Sequence, residues 1–376
     1  MRYFIIAGEA SGDLHASHLM RELKKVDGNA CFTFFGGDLM ASEGGTLLKH
    51  YREMAFMGLF PVIFNLHKIK RNFTLAEHKL LEFKPDVLIL VDYPGFNLRM
   101  AEFAKANGIK VFYYISPKIW AWKTKRVHKV KKFVDEMFTI FPFESEFYGK
   151  YNYTVRFVGN PTIDELASRP NQQETFAEFI LKNKLPNKPI IALLAGSRHH
   201  EIARILPVLA NVSKQFTEYQ FVIAGAPSQS QPLYTKVLGK TSIPVVFDQT
   251  YELLQQSTAA LVASGTATLE TAYINVPQVV CYRIEAGRLG TWVKDQLIKV
   301  PFISLVNLIA GREIVKELFQ QYCTPKTVSE ELNKILTDNN YRDSMLAGYT
   351  EVLAELGGTG CAERAAKEMI ALLKVK

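Results

Sequence analysis

The twelve residues DVLILVDYPGFN (86–97) set five consecutive apolar side chains, Val87 to Val91, against an aspartate and then Pro94 and Gly95. An unbroken apolar run of that length suits a strand covered on both faces, as in a parallel sheet, with Pro94 and Gly95 closing it. Asp92 is then expected at the carboxyl end of a buried strand, the side on which open α/β sheets bind their ligands. A carboxylate is costly to desolvate, so its place on the rim of an apolar core asks for a use other than packing.

Three further turns carry polar groups at similar places. AGEASGD (7–13) follows the first apolar run and holds Gly8, Glu9, Ser11, Gly12 and Asp13. Asp13 reads as the cap of a helix beginning near Leu14, whereas Glu9 has no such role and should share the rim with Asp92. LLAGSRHHEI (193–202) places Gly196, Ser197 and Arg198 between a strand and a helix. Glycine admits close backbone approach, a helix start offers free amides and arginine adds a fork of donors, all suited to phosphate; a plain structural turn explains the same residues. VASGTATLE (262–270) repeats the arrangement with Ser264, Gly265 and Thr266, and Glu270 lies one helical turn after Thr266. A carboxylate there could accept both hydroxyls of a ribose while the turn holds phosphate, so the two turns together favour a nucleotide.

Several other chemistries lack their signatures. There is no GxGxxG after the first strand, no Walker A lysine and no HExxH, and Ser11 falls one place too late for GxSxG. His199 and His200 have no third ligand at a readable spacing and read as surface residues. Cys31, Cys281, Cys323 and Cys361 are far apart and read as free thiols in a reducing compartment.

The elements that must position these turns are strands alternating with helices. Strand-like runs fall at Tyr3–Ala7, Cys31–Phe35, Val87–Val91, Val111–Ile115 and Met137–Phe141. The alternation restarts with PIIALLAG, YQFVIAGA, IPVVFD, AALVAS and PQVVCY. Between them, Pro161, Pro170, Pro186 and Pro189 mark a boundary. A chain of 376 residues exceeds what one core usually organises. The expected fold class is α/β, with two Rossmann-like doubly wound parallel-sheet domains facing a cleft, at 1–168 and 169–345. A closing helical segment, 346–376, carries Ala362, Ala365, Ala366, Met369 and Leu373 at helical spacing and should pack back on the first domain or on a partner chain.

The formal net charge is +8, and its distribution says more. KIWAWKTKRVHKVKK (118–132) has seven Lys or Arg and no acid. It is either a solvated face or a surface for anionic lipid, a phosphorylated substrate or nucleic acid. MGLFPVIFNLHKIKR (57–71) is more apolar than a short connection requires and ends in cations. Buried, it would be a helix or loop under the sheet; exposed, its Phe60, Val62, Ile63, Phe64 and Leu66 would enter a lipid interface while Lys68, Lys70 and Arg71 meet headgroups. Trp120 and Trp122 would suit the same interface. No window approaches a spanning helix, and the first residues are too short an apolar run for a signal peptide, so a cytoplasmic protein is expected.

Taken together and in order, AGEASGD, VDYPGFN, SPKIWAWK, PFE (142–144), FVGNP, LLAGSR, ASGTATLE and SLVNLIAGREIVKE resemble the motif series of the lipid-A-disaccharide synthases from residue 7 to about 317. The resemblance implies the glycosyltransferase type B (GT-B) fold. It further implies a hexosyltransferase that joins UDP-2,3-diacylglucosamine to 2,3-diacylglucosamine 1-phosphate with inversion. It implies no metal and no cofactor, no nucleic-acid partner, and a homodimer working peripherally on anionic lipid at the cytoplasmic face of the inner membrane. By motif it makes Asp92 the general base, puts Glu9 and Ser11 in the active site and sets Arg198 near the donor phosphates. It adds Gly196, Ser197, Ser264, Gly265, Thr266, Glu270, Asn307, Arg312 and Glu313 to the UDP-sugar side. Two departures from the commoner pattern stand out: Gly95 where many members carry a second aspartate, and Val306 where many carry proline. The rival readings are another GT-B enzyme on a UDP-sugar, a non-hydrolysing 2-epimerase or a transferase with a soluble acceptor, and, of another class, a basic nucleic-acid-binding protein, against which no recognised nucleic-acid module is found.

Overall fold

The computed structural model of the chain describes residues 1–54, 66–121, 124–283 and 301–374. The chain divides into two units, Met1–Asp164 with Leu356–Lys376, and Glu165–Glu355. Among the described residues, the first unit holds seven strands: β1 (Arg2–Ala7), β2 (Cys31–Gly36), β3 (Thr46–His50), β4 (Val87–Val91), β5 (Val111–Tyr114), β6 (Glu136–Thr139) and β7 (Arg156–Phe157). They form one parallel sheet in the order β3-β2-β1-β4-β5-β6-β7. The second unit has β8 (Ile190–Leu194), β9 (Gln220–Gly225), β10 (Val245–Phe247), β11 (Ser257–Ala263), β12 (Gln278–Tyr282) and β13 (Glu317–Phe319). Their order is β10-β9-β8-β11-β12-β13, again all parallel.

The central strands are the apolar runs because helices cover both of their faces. Every residue of β4 and of β8 is buried. In the first unit Phe4, Ile6, Leu88, Leu90 and Tyr113 share one core with Phe73, Ala76, Phe96 and Met100 from flanking helices. In the second, Ile190, Ala192, Val222, Val262 and Leu253 do the same.

Each sheet has one place where the chain turns from building leftward to building rightward. In the first unit it lies between β1 and β4, and in the second between β8 and β11. Such a switch point leaves a crevice at the carboxyl ends of the two strands, since the helices that follow them go to opposite faces. The four polar turns singled out above follow these four strands.

Two boundaries differ from expectation. A break at 345–346 would cut the Asn339–Glu355 helix, whose Met345, Gly348, Tyr349 and Val352 are buried, so the return to the first unit comes only at Leu356. Helix Cys361–Lys374 then packs against helix Ala10–Val26, burying Ala365, Ala366, Met369 and Ile370. Its start is tied down by Asp164, whose carboxylate accepts from the backbone N–H of Gly360 and Cys361. The exchange out of the first unit falls at Asp164/Glu165, inside helix Pro161–Ala167. Among the described residues, no helix is long and apolar enough to cross a membrane.

Candidate active site

Asp92 leaves β4 with φ +42°, and Tyr93 follows with φ +46°. Two successive left-handed residues without glycine cost about 1–3 kcal/mol each and persist only where the surroundings impose them. Here the surroundings do: Asn97, fully buried, donates from Nδ2 to the carbonyls of Val91 at 3.1 Å and Asp92 at 2.8 Å, and the Tyr113 hydroxyl donates to the same Asp92 carbonyl. The strand stops at Val91, ahead of Pro94 and Gly95 as the pattern suggested. Pro94 opens helix Pro94–Ala106 at the first position, where a missing N–H costs nothing. Gly95 stands exposed in the same first turn, with open space around it. The last residue of the VDYPGFN motif, Asn97, is therefore a positioning group that sequence reasoning did not single out.

Asp92 itself is half-buried. Burial pushes its carboxyl above the usual aspartate range, while the charges of Lys118 and His15 pull it part of the way back. β1 ends beside it, with Ala7 level with Val91. Gly8 follows so closely under the Tyr93 ring that a Cβ would come within 2.3 Å of it. Glu9 stands at the start of helix Ala10–Val26 without a side-chain capping bond, and its charge adds to burial in raising the Tyr93 phenol. Ser11 is exposed in the first turn of that helix. Glu9 and Ser11 thus reach the switch point with Asp92 from the neighbouring strand.

Asp13 departs from its expected role because the helix begins at Ala10. Its buried carboxylate instead caps the next helix, Asp38–Ser42, accepting from the N–H groups of Gly37 at 2.7 Å, Leu39 at 3.1 Å and Met40 at 3.1 Å. Trp120 is also reassigned from a lipid interface to the core. It is 6% exposed, its ring packs edge-on to Phe141 and Phe143, and its Nε1 donates to Glu144 at 3.2 Å. Glu144 is 1% exposed, accepts from Ile140 and Phe141 N–H, and is pushed by burial up to about 7. The SPKIW and PFE segments thus fold on each other.

In the second unit, Gly196 leaves β8 with φ +105°, and its missing Cβ makes room for Glu201, whose own Cβ lies 2.8 Å from where one would stand. The Glu201 carboxylate accepts from Ser197 N at 3.1 Å, Arg198 N at 3.2 Å and Arg198 Nη1 at 3.2 Å. The donors expected to meet phosphate therefore already hold a carboxylate, and the rest of the exposed Arg198 fork projects past it. After β11, on the other side of the switch point, Ser264 donates from Oγ to Ile303 O at 2.7 Å, and Gly265 and Thr266 are exposed. Glu270 is half-buried beside Glu165; burial and then that second carboxylate push it up to about 7.

Asn307 does not project into the site as a ligand. It is fully buried, its Nδ2 donates to Val315 O at 2.8 Å and Glu317 Oε1 at 2.9 Å, and its Oδ1 accepts from Ile314 N and Val315 N. All four of its hydrogen-bonding capacities go to the chain, so it shapes the loop instead. Val306 lies in the first turn of helix Leu305–Ala310, where proline fits equally well. Arg312 and Glu313 are exposed and paired with Glu351 and Lys316. Lys68, Lys70 and Arg71 are exposed on the first turns of helix Leu66–Phe83, whose Phe73 and Ala76 face the core. Phe60, Val62, Ile63, Phe64 and Trp122 lie outside the described residues, as does the Leu66 side chain. His199 and His200 are exposed, and no group of three or more His, Cys, Asp or Glu suited to a metal ion occurs among the described residues.

The profile of a family described as lipid-A-disaccharide synthetase matches residues 3–369. The chain belongs to the lipid-A-disaccharide synthase family. The Myxococcus xanthus lipid-A-disaccharide synthase is 38% identical over 378 residues, covering 99% of this chain and 97% of that one. The Coxiella burnetii synthase is 35% identical over 367 residues, 96% of each. Solved structures of similar fold include a UDP-GlcNAc 2-epimerase from Neisseria meningitidis bound to UDP-GlcNAc, with a TM-score of 0.66, 15% identity and 99% of both chains covered. A calicheamicin glycosyltransferase gives a TM-score of 0.58 and 16% identity, covering 100% of this chain and 98% of that one. Those identities speak to the fold, which is GT-B; the family match speaks to the activity. As a member of that family, the protein is a glycosyltransferase of lipid A biosynthesis.

Proposed function

We propose that the chain transfers 2,3-diacylglucosamine from UDP-2,3-diacylglucosamine to the 6-hydroxyl of 2,3-diacylglucosamine 1-phosphate with inversion, Asp92 acting as general base. The observation that carries this is the half-buried carboxylate held at a switch point by a strained, doubly hydrogen-bonded corner. In an inverting transfer the acceptor oxygen attacks the anomeric carbon as its proton passes to the base, and the bond to the UDP oxygen breaks. Glu9 and Ser11, at the start of the helix that follows the adjacent strand, position the acceptor.

The second unit takes the donor in this reading. The remainder of the Arg198 fork offers the diphosphate its donors on one side of their switch point and the exposed Gly265 and Thr266 do so on the other, while Gly196, Ser197 and Ser264 shape the two turns. Glu270 accepts from the ribose. Arg312 and Glu313 complete the loop that Asn307 shapes. Arg198→Ala is expected to lose roughly ten- to hundredfold in kcat/KM, the range for one charge-assisted hydrogen bond to the leaving group. Steady-state kinetics with UDP inhibition as a second readout checks this, and unchanged kinetics would remove Arg198 from the diphosphate.

Both substrates carry acyl chains, so the enzyme works peripherally at the cytoplasmic face of the inner membrane. Lys68, Lys70 and Arg71 are the docking cations in this reading, next to the apolar stretch before them. Reversing their charge together is expected to weaken binding to anionic vesicles while turnover of detergent-dispersed substrate persists; unaltered vesicle sedimentation would return them to a solvated face. The deciding experiment for the whole reading incubates the purified chain with both lipid substrates and looks for disaccharide and UDP. A 2-epimerase would instead convert its UDP-sugar without any acceptor.

A further inference from the structure

The loop that leaves β5 runs beside Asp92. Val91 is level with Tyr114, and Asp92 N donates to Tyr114 O at 3.2 Å. That loop is anchored at both ends: Ser116 Oγ bonds the Tyr148 hydroxyl at 2.8 Å, and Ile119 and Trp120 are buried, the latter on Glu144. Between these anchors Lys118 is exposed and forms no salt bridge to any described carboxylate. Its ammonium is near enough for its charge to favour ionised Asp92. A second cation, Arg126, sends its charge to Tyr113, whose hydroxyl donates to the Asp92 carbonyl. Both cations belong to the basic run of the sequence.

We infer that Lys118, backed by Arg126, is the residue with which this chain recognises the phosphate of its sugar-phosphate acceptor. The inference rests on the transferase reading above. When the acceptor's 6-hydroxyl lies on Asp92, its 1-phosphate is one sugar ring away, and a phosphate monoester carries close to two negative charges. Asp92 and Glu9 would repel it. A cation on a pinned loop offsets that repulsion at little cost in side-chain and loop ordering. It also gives a reason for a lysine between two buried anchors, where a solvated face would place its charges on mobile chain.

The same chemistry would suit a phosphate in an anionic lipid headgroup, so the experiment separates the two. Kinetics are measured in neutral detergent micelles for 2,3-diacylglucosamine 1-phosphate and for the same lipid sugar without phosphate. Lys118→Ala is expected to reduce the preference for the phosphorylated acceptor roughly ten- to hundredfold, through KM, with Lys118→Arg restoring most of it. Sedimentation with phosphatidylglycerol vesicles is expected to be the same for Lys118→Ala and wild type. An intact preference in Lys118→Ala, with wild type active, overturns the inference alone. Lost vesicle binding with intact micellar preference assigns the lysine to headgroups and also overturns it. Wild type that uses neither acceptor overturns the inference together with the transferase reading.

Discussion

Asp92→Asn is expected to fold, to bind UDP as the wild type does and to lose turnover by roughly 10²- to 10⁴-fold, the usual worth of a positioned general base. Asparagine is the sharper test because it keeps the shape of the side chain and tolerates the left-handed backbone, whereas alanine at φ +42° would add about 1–2 kcal/mol of strain to the corner. The backbone bonds from Asn97 and Tyr113 reach the carbonyl of residue 92, not its side chain, so they survive either change. Single-turnover rates together with calorimetric UDP binding separate chemistry from affinity. Near-normal turnover in the asparagine variant would take the base role away from Asp92. The same residue sets the acid side of the pH profile. Its carboxyl titrates above the ordinary aspartate range because it is half-buried, and only the ionised form accepts a proton. As pH falls through that raised value kcat declines, and the decline disappears in Asp92→Asn.

Glu317→Ala is expected to destabilise the second unit by several kcal/mol. The wild-type carboxylate accepts from Ile303 N at 2.9 Å, Ser304 N at 2.9 Å, Ser304 Oγ at 2.8 Å and Asn307 Nδ2 at 2.9 Å. Ser304 and Asn307 are fully buried. A buried donor left without its acceptor costs about 1–3 kcal/mol, and a domain has only about 5–15 kcal/mol in total, so several losses at one residue are severe. Glu317→Gln keeps one acceptor oxygen but turns an NH₂ toward a backbone N–H, so its melting temperature should fall between those of alanine and wild type. A melting temperature for Glu317→Ala equal to that of wild type would show that the loop finds other acceptors. Because Ser264 Oγ bonds Ile303 O, the damage should also reach the turn after β11.

Much of this was legible in the residues, and the limits have physical causes. The buried central strands announce themselves as apolar runs because both faces must be apolar. β3, β7 and β13 carry no such signal: they stand at sheet edges, are partly exposed, and read TLLKH, RF and ELF. The place of Asp92 could be read, since only a polar residue ending an apolar run is needed to see it. The grip on Asp92 could not, because Tyr113 comes from the next strand. Trp120 looked amphipathic in its own segment, and its true environment depends on Glu144, twenty-four residues on. Asn307 and Glu317 belong to one motif and both bond the chain, but that is decided by burial, and the motif carries no sign of burial.

The return of the chain at Leu356 has a consequence for how the molecule is made. The first unit needs both Met1–Asp164 and the residues from Leu356 onward, so its last helix reaches the Ala10–Val26 helix only after everything between has been synthesised. The second unit is one uninterrupted stretch and can complete its sheet while still near the ribosome. Once folded, it replaces a floppy loop of nearly two hundred residues by a short rigid span, and the entropy of closing that loop is then already met. The unit begun first is thus the one whose last piece leaves the ribosome last.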